Sequence, residues 1–156
     1  MSVAIVRSLF NRKVTDGLLA GAREALAEMG AADRGVAVYD LPGAFELPLA
    51  AQAAARSGRF DAVVALGAVI EGETDHYEHV AREAAGGLAA VARETGVPVA
   101  FGVLTVRQEE HACRRAAPGP DNKGAEAARA AVTTALALRA IRGGRGRRAR
   151  AVRRRR

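Results

Sequence analysis

The chain has 156 residues, room for one domain with one core but not for two ordinary ones. Apolar residues make up 49% and charged residues 26%, a globular balance that excludes wholesale disorder. The net charge of +7 resides in the C-terminus. Residues 142–156 hold nine arginines and no acid, so 15 of the 24 bases face 17 acids in residues 1–141. The body is mildly acidic and gives no sign of a nucleic-acid-binding face. No run reaches the roughly 18 unbroken apolar residues of a membrane span. Met1 to Asn11 lacks the basic-then-apolar order of a secretory signal. The single cysteine, Cys113, has no internal disulfide partner, which fits a reducing cytoplasm.

In chain order, Val3–Val6 is a short apolar run and predicts a buried strand. Leu18, Leu19, Ala22, Leu26 and Met29 repeat at helical spacing, so Thr15–Met29 predicts a helix with Gly30 as its C-terminal cap. Val36–Tyr39 predicts a second strand. Pro42-Gly43 turns the chain into a helix over Ala44–Ala55, with Pro48 tolerated in its first turn. Asp61–Ile70 is apolar on both alternating faces, the mark of a parallel strand covered on both sides. A long helix follows over Asp75–Thr95, and Val97–Val103 predicts a fourth strand. A short helix over Gln108–Arg115 and a long one over Asn122–Ile141 complete the body. Strand and helix alternate four times, which predicts an α/β domain with a parallel sheet and helices on both faces. The expected division is a domain over 1–141 and a disordered Arg/Gly-rich tail over 142–156.

Ligands of such sheets bind beyond the carboxyl ends of the strands. Scarce residue types gather there: the chain has six aromatic residues, and Phe10, Phe45 and Phe101 fall at or near strand ends. Gly72-Glu73-Thr74 follows the most buried strand and leads into a helix, whose free N–H groups and positive dipole end suit a phosphate or carboxylate. Asp75 with Glu78 also reads as a plain capping box. His76, in the first helical turn, is either a surface histidine or a group that moves protons near neutral pH. His79 lies one turn on, but no third ligand stands at a metal-binding spacing, and no metal is expected. Glu46 can accept hydrogen bonds from a polyol or serve only the helix dipole. Phe10 is a stacking platform or core, and Asn11 a cap. Arg115 and Lys123 can neutralise a phosphate or merely face solvent.

Taken together, Phe10-Asn11, Pro42-Gly-Ala-Phe-Glu-Leu-Pro48, Leu66-Gly-Ala-Val-Ile70, Gly72-Glu-Thr-Asp-His-Tyr77, Gly96-Val-Pro-Val99 with Phe101-Gly102, and Asn122-Lys-Gly124 resemble the 6,7-dimethyl-8-ribityllumazine synthases of riboflavin biosynthesis. The pieces keep the family's order and spacing over roughly residues 3–140. The resemblance implies a flavodoxin-like three-layer sandwich with a four-stranded parallel sheet. It implies condensation of 5-amino-6-ribitylamino-uracil with 3,4-dihydroxy-2-butanone 4-phosphate to give the lumazine, phosphate and water. It implies no metal and no organic cofactor.

The resemblance also assigns roles. Phe10 stacks on the pyrimidine and Asn11 shapes its pocket. Ala44, Phe45 and Glu46 hold the ribityl chain. Gly72, Glu73 and Thr74 bind the phosphate, and His76 is the general acid and base. Arg115 pairs with the same phosphate, and Phe101 and Lys123 close the site. The last three come from the neighbouring subunit of a homopentamer, which some members assemble into a 60-subunit shell. Three features depart from the family. Glu71 stands where many members carry a base, which weakens phosphate binding unless its carboxylate points away. Pro118-Gly-Pro-Asp121 replaces a small-residue loop. The arginine tail is foreign to the family, and nonspecific contact with nucleic acid through it is an accessory expectation. An inactive shell or scaffold protein is the alternative to the enzyme.

Overall fold

The computed structural model describes residues 1–31 and 35–153, with side chains through residue 143. Its elements run β1 (Val3–Ser8), α1 (Arg12–Glu28), β2 (Val36–Leu41), α2 (Leu47–Arg56), β3 (Ala62–Ile70), α3 (His76–Thr95), β4 (Val99–Val106), α4 (Glu109–Ala116) and α5 (Lys123–Arg153). All strand pairs are parallel and the order is β2-β1-β3-β4. This is the expected three-layer α/β arrangement. The chain reverses direction across the sheet between β1 and β3, which opens a crevice beyond their carboxyl ends.

Alternation along the strands builds two cores. Val3, Ile5, Val64 and Leu66 pack against α1, α4 and α5 on one face. Ala4, Val6, Val63 and Ala65 pack against α2 and α3 on the other. β3 is buried along nearly its whole length, as its unbroken apolar run requires.

The boundaries differ from expectation where polar residues are paired. β1 continues past Val6 through Arg7, whose guanidinium is buried but meets Asp40 on β2 at 2.8 and 2.9 Å and Asp16 on α1 at 2.6 Å. β2 likewise runs on through Asp40 to Leu41. β4 begins after Pro98 and extends to Val106, two residues later than its expected start, because Pro98 has no N–H for the ladder. α1 starts three residues early, at Arg12, after Asn11 in the left-handed conformation (φ 57°).

Gly30 lies just past α1 at φ 76°, and the Ala31 and Gly30 amides donate to the Leu26 and Ala27 carbonyls. This is the glycine helix end read from the sequence. The amino end of α5 comes into direct backbone contact with α1 at Gly124. A Cβ on Gly124 would overlap the Leu18 carbonyl, and one on Gly21 would overlap the Asn122 amide.

Arg142 donates to the Gly96 carbonyl at 2.8 Å, and Arg139 pairs with Asp61 at 3.2 Å. Both tie α5 to the sheet edge opposite the crevice. Arg142, counted with the tail in the sequence reading, is therefore part of the folded body. The rest of the expected disordered tail falls on the last stretch of α5, where side chains from 144 onward and residues 154–156 lie outside the described residues. Among the described residues, no helix is long and apolar enough to cross a membrane.

Candidate active site

Two backbone bonds extend the β1–β2 ladder beyond the strands, Leu9 N to Leu41 O at 2.8 Å and Phe10 N to Pro42 O at 3.2 Å. They bring Phe10 beside the 42–46 turn at the mouth of the crevice. Asn11 opens α1: its carbonyl accepts from the Val14 and Thr15 amides, and its side-chain amide donates to the Ala68 carbonyl of β3 at 2.9 Å. Asn11 thus joins α1 to β3 next to Phe10 rather than lining the crevice itself.

The crevice is a cleft of about 670 Å³ lined by Phe10, Gly43, Ala44, Phe45, Glu46, Ala68, Val69, Ile70, Gly72, Thr74, His76, Tyr77, His79 and Val80. It gathers most residues singled out on this side of the sequence. Phe10 and Phe45 are 70% and 57% exposed, so two aromatic rings stand open to a flat ligand. Glu46 opens α2 without capping it, and its carboxylate meets no cation among the described residues. It is free to accept hydroxyl hydrogen bonds. Tyr77, His79 and Val80 also line the cleft; His79 and Val80 stand three and four residues after His76, the helical spacing that places them on its face, whereas no such spacing marks Tyr77.

The amino end of α3 differs in detail from the expected capping box. Asp75 caps with its carbonyl alone, which accepts from the Glu78 and His79 amides, and its carboxylate makes no cap. Thr74 Oγ1 lies 3.4 Å from the His76 amide instead. Nothing stands within 4 Å of a Cβ built on Gly72, so the first turn opens onto free space in the cleft. Glu73 is exposed and does not line it.

Glu71 turns away. Its amide donates to the Val106 carbonyl at 2.9 Å, and its carboxylate lies 3.6 Å from Arg107 Nε.

Phe101, Arg115 and Lys123 lie elsewhere on the protomer. They line a second cleft of about 340 Å³ with Thr105, Glu126 and neighbouring residues of β4 and α5. Phe101 is 46% exposed. Arg115 donates back to the His111 carbonyl at 3.2 Å and has no acidic partner among the described residues, whereas Lys123 pairs with Glu126. Arg114 faces a different groove with Lys13, Glu109 and Cys113. No group of three or more metal-binding side chains occurs among the described residues.

The sequence matches the family model of 6,7-dimethyl-8-ribityllumazine synthase over residues 1–139. The chain belongs to the 6,7-dimethyl-8-ribityllumazine synthase family. The match spans every strand and the helices around both clefts. It supports lumazine synthesis in the riboflavin pathway, a transferase activity. It stops short of the arginine-rich terminus. The four-stranded parallel sheet between helical layers is consistent with the fold of that family.

Proposed function

We propose that this lumazine synthase family member condenses 5-amino-6-ribitylamino-uracil with 3,4-dihydroxy-2-butanone 4-phosphate, releasing phosphate and water. The observation that carries the reading is the division of one chemical inventory between two clefts. The first has aromatic platforms, a free carboxylate, a helix N-terminus and a histidine. The second has an aromatic ring and two cations. Neither alone holds a flat heterocycle and neutralises a phosphate. Abutting copies of the chain would complete the site, so the reading carries a ring of identical subunits, a pentamer, with a 60-subunit shell as its larger form.

The pyrimidine stacks on Phe10, and its ribityl hydroxyls donate to Glu46 beside Ala44 and Phe45. The phosphate of the four-carbon substrate sits on the first turn of α3, at Gly72 to Thr74, where amides and dipole favour an anion. Arg115 and Lys123 of the adjoining copy add charge to the same phosphate. The pyrimidine's amino group attacks the ketone, and imine formation expels water. Phosphate then leaves by elimination, with its charge held in place. The second nitrogen closes the ring with loss of another water. His76 stands at the mouth of the cleft to carry protons in each step. Holding both substrates in one pocket supplies a large share of the acceleration. No step calls for a metal or an organic cofactor.

A cytoplasmic location follows from the same reading and suits the single, unpaired Cys113. The arginines of residues 142–156 support an accessory contact with nucleic-acid phosphates, which salt weakens steeply. Truncation after Gly143, which keeps the Arg142 contact to Gly96, should leave turnover intact and abolish such binding.

The deciding experiment is a steady-state assay of lumazine absorbance with both substrates, on the wild type and on Arg115→Ala. Product formation that collapses in the variant supports the reaction and the phosphate role. A folded, oligomeric and inactive wild type would overturn the enzyme reading in favour of a scaffold.

A further inference from the structure

We propose that Asn122 is the positioning residue that fixes Arg115 and Lys123 in register with one another. The inference rests on the reading of the second cleft as the phosphate side of the active site. Asn122 is 2% exposed and uses both ends of its amide. Its nitrogen lies 2.9 Å from the Ala116 carbonyl and 3.1 Å from those of Gly17 and Ala117. Its oxygen accepts from the Gly124 and Ala125 amides at 2.9 and 3.0 Å. One side chain therefore closes the carboxyl end of α4, caps the amino end of α5 and ties both to α1. Those end groups have no partner within their own helices, so the contact is costly to lose.

Arg115 is the penultimate residue of α4, and Lys123 is the first residue of α5. The loop between the helices, with Pro118, Pro120 and Gly119 at φ 128°, lies exposed along this connection. The relative placement of the two cations is thus set by the Asn122 amide. Gly21 supports this, since any side chain there would displace that amide. Shifts of about 1 Å in a positioning group are enough to cost tenfold or more.

Asn122→Ser and Asn122→Asp both keep an oxygen for the Gly124 and Ala125 amides; the carboxylate has no donor for the α4 carbonyls, and the single, shorter hydroxyl cannot serve both ends at once. Each should fold and assemble. The KM for the butanone phosphate should rise about tenfold while the KM for the pyrimidine stays near the wild-type value. Inorganic phosphate, used as a competitive inhibitor, should weaken by a similar factor. In the Arg115→Ala background, where turnover is too low for a KM, the same substitutions should add little to the loss of inorganic-phosphate binding measured by calorimetry, because the group they position is gone. Equal changes in both KM values, or full additivity with Arg115→Ala, would assign Asn122 to folding alone and overturn the proposal. So would failure of both variants to accumulate as folded protein. If Arg115→Ala itself leaves phosphate affinity unchanged, the reading of the second cleft fails first, and separately.

Discussion

Thr74 and His76 stand two residues apart, either side of the Asp75 cap at the start of α3, and the proposed reaction divides their work. In the proposed reaction Thr74 and the open backbone at Gly72 would face the anion, and the imidazole at the first helical position would reach the reacting atoms. His76→Ala should therefore lower kcat by about 10²-fold or more, the usual share of a general acid and base, with KM values close to wild type. Single-turnover measurement of lumazine formation checks this, and an unaltered chemical step would remove His76 from proton transfer. At this scale the sequence was informative because the side chains are chemically conspicuous. Phe10, Glu46 and His76 stand out as types at strand ends. The supporting residues do not. Asn11 and Asn122 act through carbonyls and amides of segments distant in the chain, and no spacing in the sequence records those partners. Glu71 shows the converse: its type suggests conflict with a phosphate, and only its pairing with Arg107 removes the conflict.

Among the elements, two contrasts carry predictions. The first concerns glycines in helices. Gly124 starts α5 against the backbone of α1, and any Cβ there meets the Leu18 carbonyl, whereas Gly86 in α3 is exposed with open space around it. Gly124→Ala should destabilise by about 1–3 kcal/mol or more through overpacking. Gly86→Ala should stabilise by about 0.5–1 kcal/mol through helix propensity. Paired thermal melts decide, and equal responses would contradict the close α1–α5 approach. The second concerns Arg7. Its hydrogen bond and charge hold the Asp40 carboxyl below its ordinary value, and Asp40 in turn raises Arg7. A carboxyl lowered in the folded state favours folding above its unfolded value, near 3.9, and loses that effect as pH falls through the folded value. Asp40→Asn should then cost about 1–2 kcal/mol at neutral pH, tempered by the half-exposed carboxylate and by Asp16, with the gap to wild type closing in acid below about pH 4. Denaturant titrations across pH measure it. The same pair explains why the strand ends were under-read in the sequence: an arginine and an aspartate break an apolar run, but each hides the other's charge.

On the scale of the whole molecule, the separation of His76 from Arg115 has a consequence that no single-chain variant can test. The residues line different clefts of one protomer. A site assembled across a head-to-tail ring contact would take His76 from one copy and Arg115 from the next. His76→Ala and Arg115→Ala should each be nearly inactive alone. Unfolded together in equal amounts and refolded, they form mixed rings in which some contacts pair the intact His76 of one variant with the intact Arg115 of the other. Random assembly makes about one quarter of the contacts competent, so activity should recover to about that fraction of wild type. Mixing without subunit exchange should recover none, which separates a shared site from contamination. Failure to recover activity in rings shown to be mixed would place both residues in a site within one subunit. The alternation of strands and helices made the fold legible from periodicity alone, because each element buries its own apolar stripe. A site shared between copies would leave no such periodic trace, and the exposed Phe10, Phe45 and Phe101 would be its main mark in the folded chain. Complementation turns that exposure into a measured quantity: recovered rate reports the fraction of subunit contacts at which an intact His76 meets an intact Arg115.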